Sequence, residues 1–170
     1  MLKLVNIDLP GVRVLEPDVF EDTRGYFQEA FSNEKYAALG INETFVQDNV
    51  SYSRKDVLRG MHYDPRMTKL VYVVLGRVFD VVVDMRAGSP TFKQWTGVEL
   101  SSENHRQIFI PAGFAHGFLT LSDEAIVVYK QSAPYDPASE RAISWRDPDV
   151  AIDWPLHGRS PILSAKDAAL

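Results

Sequence analysis

The sequence predicts a mainly β protein built from antiparallel strands. Short runs of Val, Ile, Phe and Tyr recur along the chain, and Gly, Pro, Asn and Asp separate them, a pattern typical of many short strands joined by turns. Helix-forming segments are few. With 170 residues and 45% apolar content, the chain is long enough for one domain with a large core, so we expect residues 1–170 to form a single domain.

The strongest strand signal is the segment KLVYVVLGRVFDVVVDMR, residues 69–86. Two β-branched runs meet at Gly76, which predicts a hairpin, and the nearly continuous apolar character predicts burial on both faces. The segments QIFIPAG, FAHGFLTLS and EAIVVYKQS predict three more strands, with Pro-Ala-Gly as the turn between the first two. Strands of this kind suit a sandwich or a barrel.

Two short helices are predicted. SNEKYAALG, residues 32–40, has Ser32 as a candidate N-cap and Gly40 in the position that follows a helix C-terminus. The C-terminal SAKDAAL predicts a single helical turn.

Composition excludes several function classes. The net charge of −5 is spread along the chain without a Lys/Arg block, so we expect no nucleic-acid partner. The absence of cysteine excludes disulfides, thiolate nucleophiles and Cys-ligated zinc. The N-terminal MLKLVNIDLPGVRVL lacks the apolar stretch of a signal peptide or membrane span, which predicts a cytoplasmic protein with no membrane partner.

Two histidines lie at strand edges beside glycines, His62 in RGMHY and His116 in FAHGF. A single histidine of this kind is more often structural than catalytic, but a barrel would bring both to one mouth. PAGFAH fits P-x-G-x-x-H, the second motif of the cupin barrels, and LRGMHYDPRMTKLVYVVLG resembles the first. The resemblance implies a cupin-type antiparallel β-barrel, or jelly roll, with few short helices.

The cupin motifs depart from the metal-binding pattern at two positions. Aligned on Gly76, Lys69 stands where a metal cupin has glutamate, and Asp64 stands where it has its second histidine. A fixed ammonium repels a divalent cation, and the remaining ligands are too few for a tight site. We therefore expect no metal.

Nearly the whole chain resembles the dTDP-4-dehydrorhamnose 3,5-epimerases, a family of metal-free cupins. The resemblance is specific because the matching stretches occur in the family's order over roughly residues 15–167. They are FEDTRGYFQEAF, FVQDN, VLRGMHY, KLVYVVLGRVFDVVVDMRAGSPTF, LSSENHRQIFIPAGFAHGFLTLS, VVYK, DPDVAIDWPL and LSAKD.

The resemblance implies a cofactor-free mechanism on a nucleotide-linked 4-keto-6-deoxy sugar. His62 matches the base that removes protons α to the C4 ketone, and Asp167 matches the carboxylate that orients it. Lys69 matches the group that stabilises the enolate, and Tyr129 matches the acid that reprotonates the opposite face. Without the resemblance, the sequence favours the alternative in which Tyr129 is a strand tyrosine with its ring in the core and its hydroxyl on a carbonyl.

The resemblance also implies a set of substrate-binding residues. Each has an ordinary surface alternative, such as an Arg-Gly turn or an exposed tyrosine near prolines. Asp80 matches a supporting position that holds Lys69 or a histidine, and Asp84 on the same strand face is expected to pair with Arg86. The implied binding residues are Arg24, Phe27, Glu29, Gln47, Asn49, Arg59, His116 and Tyr135.

Two features depart from the family's commonest form: the linker between His62 and Lys69, and the end of the chain soon after Asp167. The linker YDPRMT between His62 and Lys69 is short, and Asp64 adds a negative charge close to His62. A mono-epimerase acting at C3 or C5 only, or an epimerase of another nucleotide-linked 4-keto sugar such as a heptose, therefore stays open. The chain also ends soon after Asp167, so we expect its end to be docked through Leu163 and Leu170.

Two more remote classes are a metal-binding cupin and a sugar-nucleotide-binding module without catalysis. Lys69 argues against the first, and the presence of all four expected catalytic residue types argues against the second. The resemblance finally implies a homodimer, because the family pairs its barrels by strand exchange near the N-terminus.

Overall fold

A computed structural model describes residues 2–5, 7 and 9–170, which form two antiparallel β-sheets packed face to face. The six-stranded sheet has the order β1 (Lys3–Val5), β2 (Arg13–Glu16), β10 (Gln107–Ile110), β7 (Lys69–Leu75), β12 (Glu124–Gln131), β5 (Gln47–Arg54). The five-stranded sheet has the order β13 (Arg141–Ala142), β6 (Leu58–Tyr63), β11 (Phe114–Thr120), β8 (Arg77–Asp84), β9 (Trp95–Ser101). A separate hairpin contains β3 (Val19–Asp22) and β4 (Gly25–Gln28). The prediction of a mainly β, antiparallel protein is confirmed.

The predicted hairpin at Gly76 is wrong in its pairing. β7 pairs with β10 and β12, whereas β8 pairs with β9 and β11, so the chain passes from one sheet to the other at Gly76. Gly76 has a φ of +75°, and a Cβ there would lie 2.0 Å from the carbonyl oxygen of Glu124, so the corner requires glycine. The two strands face each other across the core instead of pairing edge to edge.

Three apolar layers hold the sheets. The layer between the sheets includes Val71 of β7 and Val82 of β8. The outer face of the five-stranded sheet packs under the C-terminal segment that contains Val150 and Trp154, and the outer face of the six-stranded sheet packs against Tyr36. Because β8 lies under two of these layers, its predicted burial on both faces is confirmed.

Both predicted helices are present, as α1 (Asn33–Ala38) and α2 (Ala165–Ala168). Ser32 occupies the N-cap of α1 without a capping side-chain bond, and Gly40 follows the helix with a φ of +77°. Ser164 caps α2 by accepting a hydrogen bond of 3.1 Å from the backbone N–H of Asp167. In the part of the chain that the structure describes, no helix has the length and apolar character needed to cross a membrane.

Asp84 fastens the loop after β8. Its buried carboxylate accepts hydrogen bonds from Arg86 Nη2 at 2.7 Å, Ser89 Oγ at 2.6 Å and Thr91 Oγ1 at 2.7 Å. Burial alone would raise the pKa of Asp84, but these bonds outweigh it and hold the pKa well below its usual range. The predicted pairing with Arg86 is confirmed, and Asp84 is a structural residue.

Candidate active site

A cavity of about 490 Å³ lies between the two sheets at one end of the sandwich. β5, β7 and β12 form one wall, β6 and β11 form the other, and the segment 162–167 closes one side. The cavity is lined by seven of the residues that the sequence singled out: Asn49, Arg59, His62, Lys69, His116, Tyr129 and Asp167.

The two histidines lie side by side in the cavity, as the sequence predicted. β6 and β11 are neighbours, and His62 is directly opposite His116 in the strand register. The flanking glycines allow this close approach, because a Cβ on Gly60 would lie 2.6 Å from the Cα of Gly117. Glycines beside each histidine are therefore part of the geometry that places both rings in one wall.

His62 forms a hydrogen-bonded pair with Asp167. Its Nε2 lies 2.6 Å from Asp167 Oδ1, and Asp167 is buried whereas His62 remains partly accessible. The carboxylate fixes the ring and its tautomer by accepting the Nε2 proton, so the lone pair is left on Nδ1. This pair can take a proton from a ligand in the cavity.

The C-terminal segment that carries Asp167 is docked by main-chain bonds. Ile162 donates its N–H to the carbonyl of Asp56 at 2.8 Å, and its own carbonyl accepts from Leu58 N at 3.0 Å. Leu163 packs against the outer apolar layer of the five-stranded sheet, as expected. The expected docking through Leu170 is wrong, because its side chain is exposed and does not belong to the apolar layer that contains Leu163.

His116 forms a second, deeper pair with Asp80. His116 Nε2 lies 2.8 Å from Asp80 Oδ2, and both side chains are almost fully buried. Burial raises the pKa of Asp80, whereas the neighbouring His116 opposes this rise. Of the two predicted partners of Asp80, the histidine therefore makes the hydrogen bond, and the carboxylate contributes a charge near Lys69 without bonding to it.

Tyr129 lies on the wall opposite His62. Its hydroxyl is 2.9 Å from Ser51 Oγ, and its ring packs against Phe118 and, edge to face at 6.1 Å, against His116. The alternative in which the hydroxyl bonds a carbonyl is wrong, because β5 places a serine side chain there. Burial raises the pKa of Tyr129, so the hydroxyl stays protonated at neutral pH and can act as a proton donor.

Lys69 begins β7 and lines the same cavity. Burial lowers the pKa of Lys69, whereas the charges of Glu140, Asp80 and Asp64 oppose this effect. Among residues 2–5, 7 and 9–170, no side chain or carbonyl forms a hydrogen bond or ion pair with its ammonium group. A desolvated cation with no bound partner is suited to a negative charge that develops on a ligand.

The inward face of β5 is a row of polar side chains. Gln47 Nε2 donates to Asn49 Oδ1 at 2.9 Å, Ser51 holds the Tyr129 hydroxyl, and Ser53 Oγ accepts from Arg59 Nε at 2.9 Å. These serines were missed in the sequence, although QDNVSYSR alternates inward polar residues with the outward Val50 and Tyr52, a period-2 signal.

Glu140 is a further cavity residue that the sequence did not indicate. It lies after the last long strand, where its carboxylate accepts hydrogen bonds from Lys166 Nζ and from the Tyr135 hydroxyl, the latter at 3.3 Å. Tyr135 also donates its backbone N–H to Gln47 Oε1 at 3.1 Å. The loop that carries Tyr135 is thereby fixed at the edge of the cavity.

Three predicted binding residues lie apart from the cavity in a single chain. Arg24, whose side chain is 87% exposed, pairs with Asp22, and Phe27 is 69% exposed on the hairpin of β3 and β4. Glu29 pairs with Lys35 at 2.8 Å. Their roles in substrate binding stay predictions.

The short linker between His62 and Lys69 is held by its own ion pair. Asp64 accepts two hydrogen bonds from the Arg66 guanidinium at 3.1 and 2.8 Å, and Arg66 also reaches Asp136 at 3.3 Å. The charge of Asp64 is therefore compensated within the linker. In the described part of the chain, no group of three or more His, Cys, Asp or Glu residues is placed to hold a metal ion.

Comparison with known proteins identifies the family. The family model described as dTDP-4-dehydrorhamnose 3,5-epimerase matches residues 6–170. The chain belongs to this family. It is 50% identical to the dTDP-4-dehydrorhamnose 3,5-epimerase of Salmonella typhimurium over 99% of this chain and 94% of that protein. It is 49% identical to the Neisseria gonorrhoeae enzyme of the same name, but spans only 52% of that longer protein.

A solved epimerase structure has the same fold. The crystal structure of dTDP-6-deoxy-D-glucose-3,5-epimerase from Legionella pneumophila, in complex with dTDP-4-keto-L-rhamnose, is 50% identical and superposes with a TM-score of 0.96 over 99% of this chain and 91% of that one. The predicted cupin-type fold and the predicted epimerase family, a family of isomerases, are confirmed. The comparisons favour none of the alternatives over 3,5-epimerisation.

Proposed function

We propose that this chain epimerises a dTDP-linked 4-keto-6-deoxy sugar at C3 and C5. One observation carries the proposal: a hydrogen-bonded His62–Asp167 pair and the buried Tyr129 hydroxyl lie on opposite walls of one cavity that Lys69 also lines. Inversion at carbon needs a base on one face and an acid on the other, and the two sheets supply them. The sugar of the Legionella complex has the required ketone between two epimerisable carbons.

His62 acts as the base in this mechanism. Its Nδ1 takes the proton from C5 or C3, both α to the C4 ketone, while Asp167 stabilises the imidazolium that forms. The electron pair of the broken C–H bond moves onto the C4 oxygen and gives an enolate. Lys69 stabilises this oxyanion with a positive charge that is already desolvated.

Tyr129 completes the inversion. As the enolate collapses back to the ketone, the hydroxyl donates its proton to the other face of the same carbon, and the resulting tyrosinate is reprotonated from solvent. The proton that His62 took is released to solvent. Because all protons travel through side chains, the mechanism needs no metal or cofactor.

The remaining predicted residues bind the nucleotide sugar. Arg59 lies at the cavity with its guanidinium fixed by Ser53 and by the carbonyl of Tyr52 at 2.9 Å, which suits a diphosphate. His116, held by Asp80, and Asn49 present polar groups to the sugar. Gln47 and Tyr135 are joined to each other at the cavity edge, where the tyrosine ring offers a flat surface.

Deuterium exchange tests the proposed reaction. Wild-type protein in deuterium oxide is expected to incorporate deuterium at C3 and C5 of dTDP-4-keto-6-deoxyglucose, because each removed proton is replaced from solvent; proton NMR measures both positions. Exchange at one carbon alone would contradict 3,5-epimerisation and make this a mono-epimerase. Binding without exchange would contradict the proposed substrate or the proposed catalysis.

We further propose that the chain works as a homodimer in which the hairpin of β3 and β4 enters the partner's cavity. The hairpin exposes Phe20, Tyr26 and Phe27, which is unusual for a group of large apolar side chains. β5 forms an open edge of the six-stranded sheet and exposes Val50 and Tyr52 beside it. This arrangement would bring Arg24, Phe27 and Glu29 to the site that they do not reach in their own chain.

Complementation between inactive chains tests the dimer. Arg24→Ala and His62→Ala proteins are each expected to have low activity, whereas chains mixed in equal amounts and refolded together should regain about one quarter of the wild-type sites. The recovered site takes His62 from one chain and Arg24 from the other. Deuterium exchange measures the activity of the mixture, and sedimentation measures the oligomeric state of the wild-type protein. A monomeric wild type, or a refolded mixture as inactive as the two single variants, would refute the shared site.

Other sequence predictions accompany this proposal. A single domain, a cytoplasmic location and independence from nucleic acid fit an enzyme that acts on a small nucleotide-linked substrate, and they stay predictions.

A further inference from the structure

Gln131 carries a buried polar atom that the mechanism does not use. The residue is 8% exposed, lies two positions after Tyr129 on β12, and lines the cavity beside it. In the part of the chain that the structure describes, its Oε1 has no hydrogen-bond partner. A buried amide oxygen left unpaired is costly, so a partner supplied by a ligand would explain why it is kept.

Two of the neighbouring donors are committed elsewhere, and the third, the Lys69 ammonium, has no bound partner in the described part of the chain. In the strand register Gln131 lies opposite Gln47 on one side and Lys69 on the other. Gln47 donates its amide to Asn49, and the Tyr129 hydroxyl bonds to Ser51. The Gln131 side chain lines a cavity that the proposed acid and the proposed enolate stabiliser also line.

A second, small cavity adjoins the first at this point. It has a volume of about 40 Å³ and is lined by Lys69, Gln131, Met67 and Glu140, among others. That volume is large enough for a group the size of a hydroxyl. The short linker between His62 and Lys69 forms part of its wall through Asp64 and Met67.

We propose that Gln131 binds the sugar hydroxyl next to the ketone. This inference rests on the proposed function: with the C4 oxygen at Lys69, the substituents that point towards Gln131 are those of the adjacent carbons. The C3 hydroxyl can donate to Oε1, whereas the C6 methyl group cannot. Gln131 is therefore a binding residue that selects a 3-hydroxy sugar and fixes the direction in which the ketone points.

The role of Gln131 is tested by comparing wild type and a Gln131 variant on two substrates, one with and one without the C3 hydroxyl. Gln131→Leu is expected to lower kcat/KM for exchange at C5 of dTDP-4-keto-6-deoxyglucose about tenfold, the usual effect of one lost neutral hydrogen bond. With the 3-deoxy analogue of this substrate, wild type and variant should react at similar rates. The melting temperature should stay the same or rise, because the variant removes an unpaired buried oxygen. Gln131→Met serves as a second variant of similar size.

If Gln131→Leu lowered kcat/KM equally for both substrates, or for neither, the proposal would be overturned. A residue with a merely structural role would affect the 3-hydroxy and the 3-deoxy substrate alike. Binding of the unreactive dTDP-6-deoxyglucose and its 3-deoxy analogue, measured by calorimetry, separates this inference from the proposed function. Wild type should prefer the hydroxylated ligand about tenfold and Gln131→Leu should lose the preference, even if no exchange occurs. Equal affinity of wild type for the two ligands would contradict the assignment.

Discussion

His62→Ala is expected to lower the rate of deuterium incorporation at C3 and C5 roughly 10³-fold, the usual contribution of a positioned general base. His116, which also lines the cavity, is almost fully buried and bound to Asp80. His157→Asn is the matched control, because His157 lies in an exposed turn with a φ of +51° that asparagine tolerates. Single-turnover exchange followed by NMR measures both variants.

Changes at Asp167 test the His62–Asp167 pair from the side of the carboxylate. Asp167→Asn keeps the size of the side chain but removes the charge that stabilises the imidazolium, so we expect a loss of roughly 10²- to 10⁴-fold. Removing residues 167–170 should abolish turnover and leave a folded protein, because Ile162 and Leu163 hold the segment independently of them. Removing residues 169–170 alone is the control and should preserve activity.

A protein that lacks residues 167–170 and retains full activity would refute the pair. So would a His62→Ala protein that exchanges at the wild-type rate. If His157→Asn lost activity to the same extent as His62→Ala, the effect would reflect folding and not proton abstraction.

The sequence predicted the wall of the cavity that contains the histidines. His62 and His116 were expected at strand edges that a barrel could bring to one mouth, and the register places the two residues opposite each other. The sequence pattern of β7 and β8 could not show that the two strands belong to different sheets. Alternation shows which faces are buried, but β7 and β8 bury their inner faces in one core layer whether they pair or face each other.

On the cavity wall that contains β5, the sequence prediction failed for a different reason. The alternation in QDNVSYSR was present in the sequence, but polar residues facing inward run against the usual pattern, so neither Ser51 nor Ser53 was singled out from the sequence. Glu140 lies in an irregular segment whose path no periodicity describes. In our proposal Phe27 reaches a cavity only in the partner subunit. The sequence of one chain does not show a contact between two chains.

Lys69→Met is expected to lower exchange at both carbons roughly 10²- to 10³-fold, as the loss of an oxyanion-stabilising group does in other enzymes. Methionine keeps most of the side-chain volume and removes the charge. Lys130→Met is the matched control on the neighbouring strand: its ammonium pairs with Asp48 at 2.9 Å and lies over the Phe31 ring outside the cavity. The control should keep activity near that of wild type.

The same substitution is expected to preserve or raise stability. Burial lowers the folded-state pKa of Lys69 below its ordinary value of 10.5, so the unfolded chain binds this proton more tightly than the folded protein does. The charged lysine therefore opposes folding at neutral pH, and this penalty fades as pH rises from the lowered pKa towards 10.5. The melting temperature of Lys69→Met should exceed that of wild type most at pH 7 and least near pH 10.

The nearby carboxylates do not depend on Lys69 for a partner. Glu140 binds Lys166, Asp80 binds His116 and Asp64 binds Arg66, so the substitution leaves none of them without a hydrogen bond. A lysine that destabilises the fold yet is required for exchange would be kept for its charge alone. If the Lys69→Met protein retained most of the exchange rate, the proposed role of Lys69 at the enolate would be contradicted. A large fall in its melting temperature at pH 7 would show that the ammonium instead holds these carboxylates together.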